Sequence, residues 1–177
     1  GISGAITTRL SLLAKIGYGN AFTDNEVDVL PLLGQLELGY FVSATAKVKG
    51  GFLRRISPQP FFGFVNENTF YTGWNQSFGA VQLDITGEAG FYEYGDVRTV
   101  GPGSGDDARS EFFVGAGSAS SYAMTDWLTL GVGNNFELRE SNNEDLTFID
   151  AAGDVQVSGI DFGYLYNDLF VSLSARY

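Results

Sequence analysis

Cysteine and histidine are both absent from the 177 residues. There is therefore no disulfide framework, no Cys/His metal site and no imidazole to act as a general base, and a Ser-His-Asp arrangement is impossible. Positive charge is scarce as well. Ten Lys and Arg stand against 21 Asp and Glu, a net charge of −11, so the clustered cations that phosphate binding needs are missing and a nucleic-acid partner is not expected. No run of about 18 apolar residues occurs, which excludes a transmembrane helix. The opening GISGAITTRL lacks the apolar h-region of a signal peptide, as a mature, processed or truncated chain would. Stretches rich in good helix formers are missing too. What the chain has instead is aromatic residues, 15% of the total, and 24 glycines, a balance that favours strands. The length suits a single domain spanning 1–177.

Period-two alternation runs through the chain, the signature of half-buried strands. Leu10, Leu12, Ala14, Ile16 and Tyr18 share one face. After the turn-rich TDNEVDVLP, the even positions Leu38, Tyr40, Val42, Ala44, Ala46, Val48 and Phe52 stay apolar without a change of parity, which reads as one long strand from Leu36. RRISPQP breaks the pattern, because proline cannot donate to a ladder. A third strand starts near Phe61 with Phe62, Phe64, Phe70, Trp74 and Phe78 on one face, although Asn66-Glu67-Asn68 could be a hairpin turn inside it. After Gly79 the parity flips to Val81, Leu83, Ile85, Ala89 and Phe91, which implies a turn. DVRTVGPGSGDDAR has the Gly, Pro and Asp density of a long loop. Strands resume over Phe112–Met124 and Leu128–Leu138, parted at Thr125-Asp126. The polar stretch ESNNEDLTFIDAAGD then precedes a final pair, Ile160, Phe162, Tyr164 and Tyr166, then Leu169 to Tyr177, hinged at Asn167-Asp168.

The count is about eight strands, with ten as the alternative, several longer than the roughly 9 to 11 residues that cross a hydrocarbon core. An even number lets the first and last strands pair antiparallel, so that no sheet edge is left open in lipid. The second face decides between a membrane barrel and a soluble sheet. It repeatedly carries glycine, at Gly17, Gly19, Gly39, Gly51, Gly115, Gly117, Gly131, Gly133 and Gly163, as the crowded lumen of a narrow barrel would. It also carries charges of both signs: Arg9, Lys15, Lys47, Lys49, Arg139 and Arg176 against Glu37, Asp84, Glu88, Glu137 and Asp161. Buried charge is costly unless paired, so a charge network across the lumen is expected. The fold class read from these patterns is an all-β, antiparallel up-and-down transmembrane β-barrel.

The ending LFVSLSARY resembles the terminal strand signal of the small outer-membrane β-barrels of diderm bacteria, with Leu169, Val171, Leu173 and Ala175 alternating towards an aromatic Tyr177. SSYAMTDWLTLGVG and FGYLYNDLFVSLS are similar to the hairpins of that class. The resemblance implies a bacterial outer membrane, a lipid bilayer around the barrel, and recognition of the C-terminal strand by the barrel assembly machinery. One feature departs from the class. With the C-terminus on the periplasmic side, the tight turns at Thr125-Asp126 and Asn167-Asp168 face outward and the long loops inward, the reverse of the usual pattern. Unusual loop lengths, a missing N-terminal strand or a count wrong by one would each explain it.

No cofactor or metal site is expected. Asp24, Glu26 and Asp28 match the first positions of a calcium loop, but Val29 and Gln35 stand where Gly and Glu belong. Gly101-Pro102-Gly103-Ser104-Gly105 lacks the Lys of a phosphate loop. Carboxylate-only chemistry by Asp84 with Glu88 or Glu37 is outweighed by lumen salt bridges. The expected role is therefore non-enzymatic: a structural or anchoring barrel with envelope protein partners, then a narrow diffusion pore, then a soluble barrel carrying an apolar ligand.

Overall fold

A computed structural model describes residues 1–19, 32–59, 63–95, 110–141, 145–149, 155–159 and 163–176. In chain order the strands are β1 (Ile2–Ala5), β2 (Leu10–Tyr18), β3 (Leu32–Phe41), β4 (Ala46–Gln59), β5 (Gly63–Phe78), β6 (Val81–Gly95), β7 (Ser110–Ala123), β8 (Leu128–Ser141), β9 (Asp145–Ile149), β10 (Val155–Gly159) and β11 (Tyr164–Ala175). Nine of them form one antiparallel sheet in the order β1-β2-β3-β4-β5-β6-β7-β8-β11, and β9 with β10 forms a separate hairpin. The all-β, up-and-down antiparallel reading holds. The closed barrel of eight strands does not: the sheet is open, with β1 and β11 as its two edges.

The turns explain where the strand count went astray. Three connections, over 6–9, 42–45 and 124–127, are built alike. The first loop residue's N–H reaches the carbonyl four residues on, as in Ile6 to Leu10 (2.8 Å), Val42 to Ala46 (3.0 Å) and Met124 to Leu128 (2.9 Å). The second loop residue is Thr7, Ser43 or Thr125, and its hydroxyl oxygen accepts the backbone N–H two residues later, from Arg9, Thr45 and Trp127 respectively. These are hydroxyl turns, which need no Gly or Pro. Their registers pair even residues with even residues, as in Tyr40 with Val48 and Leu36 with Phe52, so alternation passes through them unbroken. The expected single strand from Leu36 to Phe52 is consequently two strands, β3 and β4. The fourth connection, Gly79-Ala80, is a two-residue hairpin with Gly79 at φ +62°, the left-handed position that a type II′ turn gives to glycine. It reverses the parity, as the sequence indicated.

β5 runs unbroken through Asn66-Glu67-Asn68, so the third strand is one strand and not a hairpin there. Three further expectations are corrected. β4 runs on to Gln59 through the expected break, and part of the expected polar loop forms β9. Asn167-Asp168 is no hinge, because β11 pairs with β8 in one unbroken register from Tyr164–Arg139 to Ala175–Leu128. The parity change there means that Tyr164 and Tyr166 occupy the face of Arg139 and Glu137, not the apolar face on which alternation had put them. With that turn gone, the loop pattern rights itself. Connections of two or four residues all lie at the end where β11 finishes, and the long ones, such as 96–109 and 142–163, lie at the other.

The two faces differ sharply. Among the described residues the buried hydrophobics are only Ala46, Val65 and Phe113, while Phe70, Phe78 and Phe112 are 59%, 61% and 52% exposed. Even residues of β2 to β5, odd residues of β6, even residues of β7 and β8 and odd residues of β11 share this face; it is exposed and apolar over most of its area, but Ala46 is buried, and towards the long-connection end it carries Arg54 and the buried Asn66 and Asn68.

Candidate functional site

The opposite face is polar, and its side chains reach across the strands through glycine slots. Gly51 on β4 sits directly between Glu37 on β3 and Tyr71 on β5. With no Cβ there, the Tyr71 ring lies over β4, and its hydroxyl donates to Glu37 Oε2 at 2.9 Å while accepting from Gln35 Nε2 at 3.1 Å. A Cβ on Gly51 would stand 2.7 Å from that ring and 2.5 Å from the Leu36 carbonyl. The same device recurs: Phe170 covers Gly133, Phe113 covers Gly90, Glu88 covers Gly115 and Lys49 covers Gly73.

Towards the long-connection end the polar face carries its strongest charge network. Arg139 Nη2 lies 2.6 Å from Glu137 Oε1, and Nη1 lies 3.4 Å from Glu111 Oε2. The guanidinium also stacks over Tyr92 and Tyr164, at 4.5 and 5.0 Å from the ring centroids, a geometry suited to its planar, weakly hydrated cation. The phenols complete the shell, with Tyr94 donating to Glu111 at 2.8 Å and Tyr164 to Glu137 at 3.0 Å. Beside it, Arg55 Nε is 2.6 Å from Glu67 Oε2, and the Thr69 hydroxyl donates to the other carboxylate oxygen at 3.1 Å.

Of the charges expected in one network, the structure joins Arg139 to Glu137. Glu37 is held by Tyr71 instead, and Asp84 by Asn75 Nδ2 at 2.5 Å and Gln82 Nε2 at 3.3 Å. Lys47 lies over Gly39 with its ammonium 5.2 Å from the Phe41 ring centroid, and Lys49 over Gly73. Among the described residues the ion pairs come from Arg55 and Arg139, not from Lys15, Lys47 or Lys49. Glu88 and Lys15 are exposed on the polar face. Arg9 belongs to the β1–β2 turn and Arg176 follows β11, its N–H donating to the Trp127 carbonyl at 2.9 Å. Asp161 lies outside the described residues, as does Tyr177 of the expected assembly signal. The other four residues of that signal, Leu169, Val171, Leu173 and Ala175, share the exposed apolar face of β11.

Sequence reasoning missed Arg55, Glu67, Glu111 and the four tyrosines Tyr71, Tyr92, Tyr94 and Tyr164. Arg55 was hidden in the expected break, and Glu67 lay where a hairpin turn was left open as an alternative to the strand. Glu111 shares parity with Gly115 and Gly117, a signal that could have found it. Among the described residues no group of three or more carboxylates is placed to hold a metal ion, and the carboxylates named above are engaged by phenols, amides or arginines, apart from Glu88. Comparison with known protein families, characterised proteins and solved structures finds no match to this chain.

Proposed function

We propose that this chain is an integral β-barrel protein of the bacterial outer membrane with a structural or anchoring role, its apolar face against lipid and its polar face turned inward. The observation that carries the reading is the apolar face. A soluble sheet would bury Leu36, Leu38, Phe70, Trp74, Ile85 and Phe112 under a second layer, whereas these residues are exposed. A patch of this extent is far beyond what a water-soluble monomer presents.

Aromatic residues on that face form two rows, with Phe52 and Trp74 between them. Tyr40, Phe78, Tyr122 and Trp127 lie near the short connections, and Phe70, Phe91 and Phe112 lie towards the other end. Phe112 and Tyr122 are ten residues apart on β7, about 33 Å along a strand. Tilted by about 35–45°, that spans about 23 to 27 Å of membrane, close to the roughly 25 Å apolar band between aromatic girdles of such barrels. The connections of two and four residues share one rim with the C-terminal end of β11, as short turns do on the periplasmic side of this class. Unpaired backbone groups in hydrocarbon cost several kcal/mol each, so in the bilayer the open sheet closes on itself. The filled glycine slots favour a packed interior over a diffusion pore.

Reconstitution into phospholipid vesicles tests the reading. Folded protein is expected to float with the vesicles, to migrate differently on gels before and after heating, and to give little or no steady conductance in planar bilayers. A folded monomer fully soluble in detergent-free buffer would overturn membrane residence, and large stable channels would replace the structural role with a pore.

A further inference from the structure

We propose that the barrel closes through β2 rather than through the first strand: β11 displaces β1 and pairs antiparallel with β2, placing Tyr18 opposite Leu169, Ile16 opposite Val171 and Gly17 opposite Phe170. This rests on the membrane reading above and specifies what that reading leaves open, namely which segment covers the free edge of β11.

Direction is the first argument. β1 and β11 both run towards the short-connection rim, so pairing them would make a parallel ladder in an otherwise antiparallel sheet. β2 runs the other way. β1 is also too short, with four residues paired to Ser11–Ala14, leaving the β2 edge open from Lys15 to Tyr18. β11 has 12 residues and would keep most of the backbone groups on its free edge unpaired against so short a partner.

Register is the second. A paired row starts at Leu10, the first residue of β2, passes through Tyr40, Val48, Trp74, Ile85, Ser118 and Asn134, and arrives at Leu169. Along it the distance from the short-connection rim climbs steadily, from the first residue of β2 to six residues short of the end of β11 at Ala175. Carrying the climb one strand further reaches about seven residues, where matching the apolar faces leaves Ile16 or Tyr18 to stand opposite Leu169; strand tilt selects Tyr18, eight residues above Leu10. A stagger of eight residues around eight strands corresponds to a strand tilt of about 36°, inside the roughly 35–45° of small membrane barrels.

Side chains agree with that register. Ala14, Ile16 and Tyr18 would continue the apolar face beside Leu173, Val171 and Leu169. Ile16, Tyr18, Leu169 and Val171 are 76%, 76%, 74% and 73% exposed, more than any large apolar residue of the central strands, as expected of positions that each lack one neighbour. On the polar face, Phe170 already covers Gly133 of β8, and Gly17 on the far edge is a slot that the described residues leave unfilled, with only Leu33 Cβ among them, at 3.9 Å, near the place of its missing Cβ. Closure puts glycine on both sides of the Phe170 ring, extending the pattern of the rest of the face.

Because the chain contains no cysteine, engineered pairs report cleanly. Ile16→Cys with Val171→Cys, and independently Ala14→Cys with Leu173→Cys, are inserted reduced into phosphatidylcholine vesicles, checked for heat-shifted migration, and treated with a membrane-permeant oxidant. Cross-strand neighbours have the Cα spacing a disulfide requires. The expected result is an intramolecular disulfide in most of the inserted monomer for both pairs, and none for Ile16→Cys with Leu165→Cys, which is out of register. Inserted protein that stays reduced, that cross-links into dimers, or that instead forms a disulfide between Ile2→Cys and Val171→Cys overturns closure through β2. Wild-type protein that never enters the vesicles overturns the membrane reading itself, and the closure with it.

Discussion

At the scale of single residues, adjacent glycines on β4 separate the two faces. Gly50 belongs to the apolar face, and a Cβ there would meet nothing closer than the Tyr71 carbonyl at 3.6 Å, ordinary contact. Gly51 points the other way, into the Tyr71 ring and the Leu36 carbonyl. Gly50→Ala should therefore leave stability within about 0.5 kcal/mol of wild type. Gly51→Ala should cost about 1 to 3 kcal/mol, as overpacking does, and should loosen the Tyr71–Glu37 hydrogen bond. Urea titrations of vesicle-inserted protein measure both, and equal costs would refute the packed polar face. Composition already hinted at these slots, since glycine recurs on one parity. The partners that fill them were not legible. Tyr71 and Glu37 are 34 positions apart, and only the register of β3, β4 and β5 brings them together across Gly51. The lysines show the opposite failure: parity placed Lys47 and Lys49 on the correct face, but nothing in a single strand reveals that each lies over a glycine of its neighbour instead of meeting a carboxylate.

Individual strands were legible to the extent that alternation marks faces, and illegible where a turn conserves parity. The hairpin at Gly79-Ala80 announced itself by reversing the pattern. The turn over 42–45 did not, because Val42 and Ala46 have the same parity and Ser43 supplies the turn chemistry that Gly or Asn would have advertised. β11 misled in the opposite sense, since Tyr164 and Tyr166 are aromatic residues on the polar face, where the hydroxyl and ring of Tyr164 serve Glu137 and Arg139, and the resulting phase change imitates a hinge. The unbroken register of β11 makes its face assignment testable. Val171→Arg puts a cation on the apolar face, at a cost of roughly 2 to 4 kcal/mol near the bilayer midplane. Ser172→Asn, one position on, adds a polar group to the polar face and should be tolerated. The folded fraction in lipid vesicles reads both, and equal tolerance would mean that the faces are reversed.

For the whole molecule, the position of the short connections sets an order in time. Each of the pairs β1–β2, β3–β4, β5–β6 and β7–β8 is joined by a connection of two or four residues, so its two strands find each other with little loop entropy to overcome. β11 has no such partner. Its neighbour β8 lies beyond the connection 142–163, and contacts between distant segments form late. Refolding should thus begin from hairpins and end with the docking of β11, so that the strand bearing the terminal segment waits longest with its apolar residues uncovered. Pulsed hydrogen exchange during refolding into detergent micelles should find the amides of the β5–β6 and β7–β8 ladders protected before those of β11, and protection of β11 first would contradict this order. A chain built this way is most vulnerable to aggregation in the interval before its last strand docks.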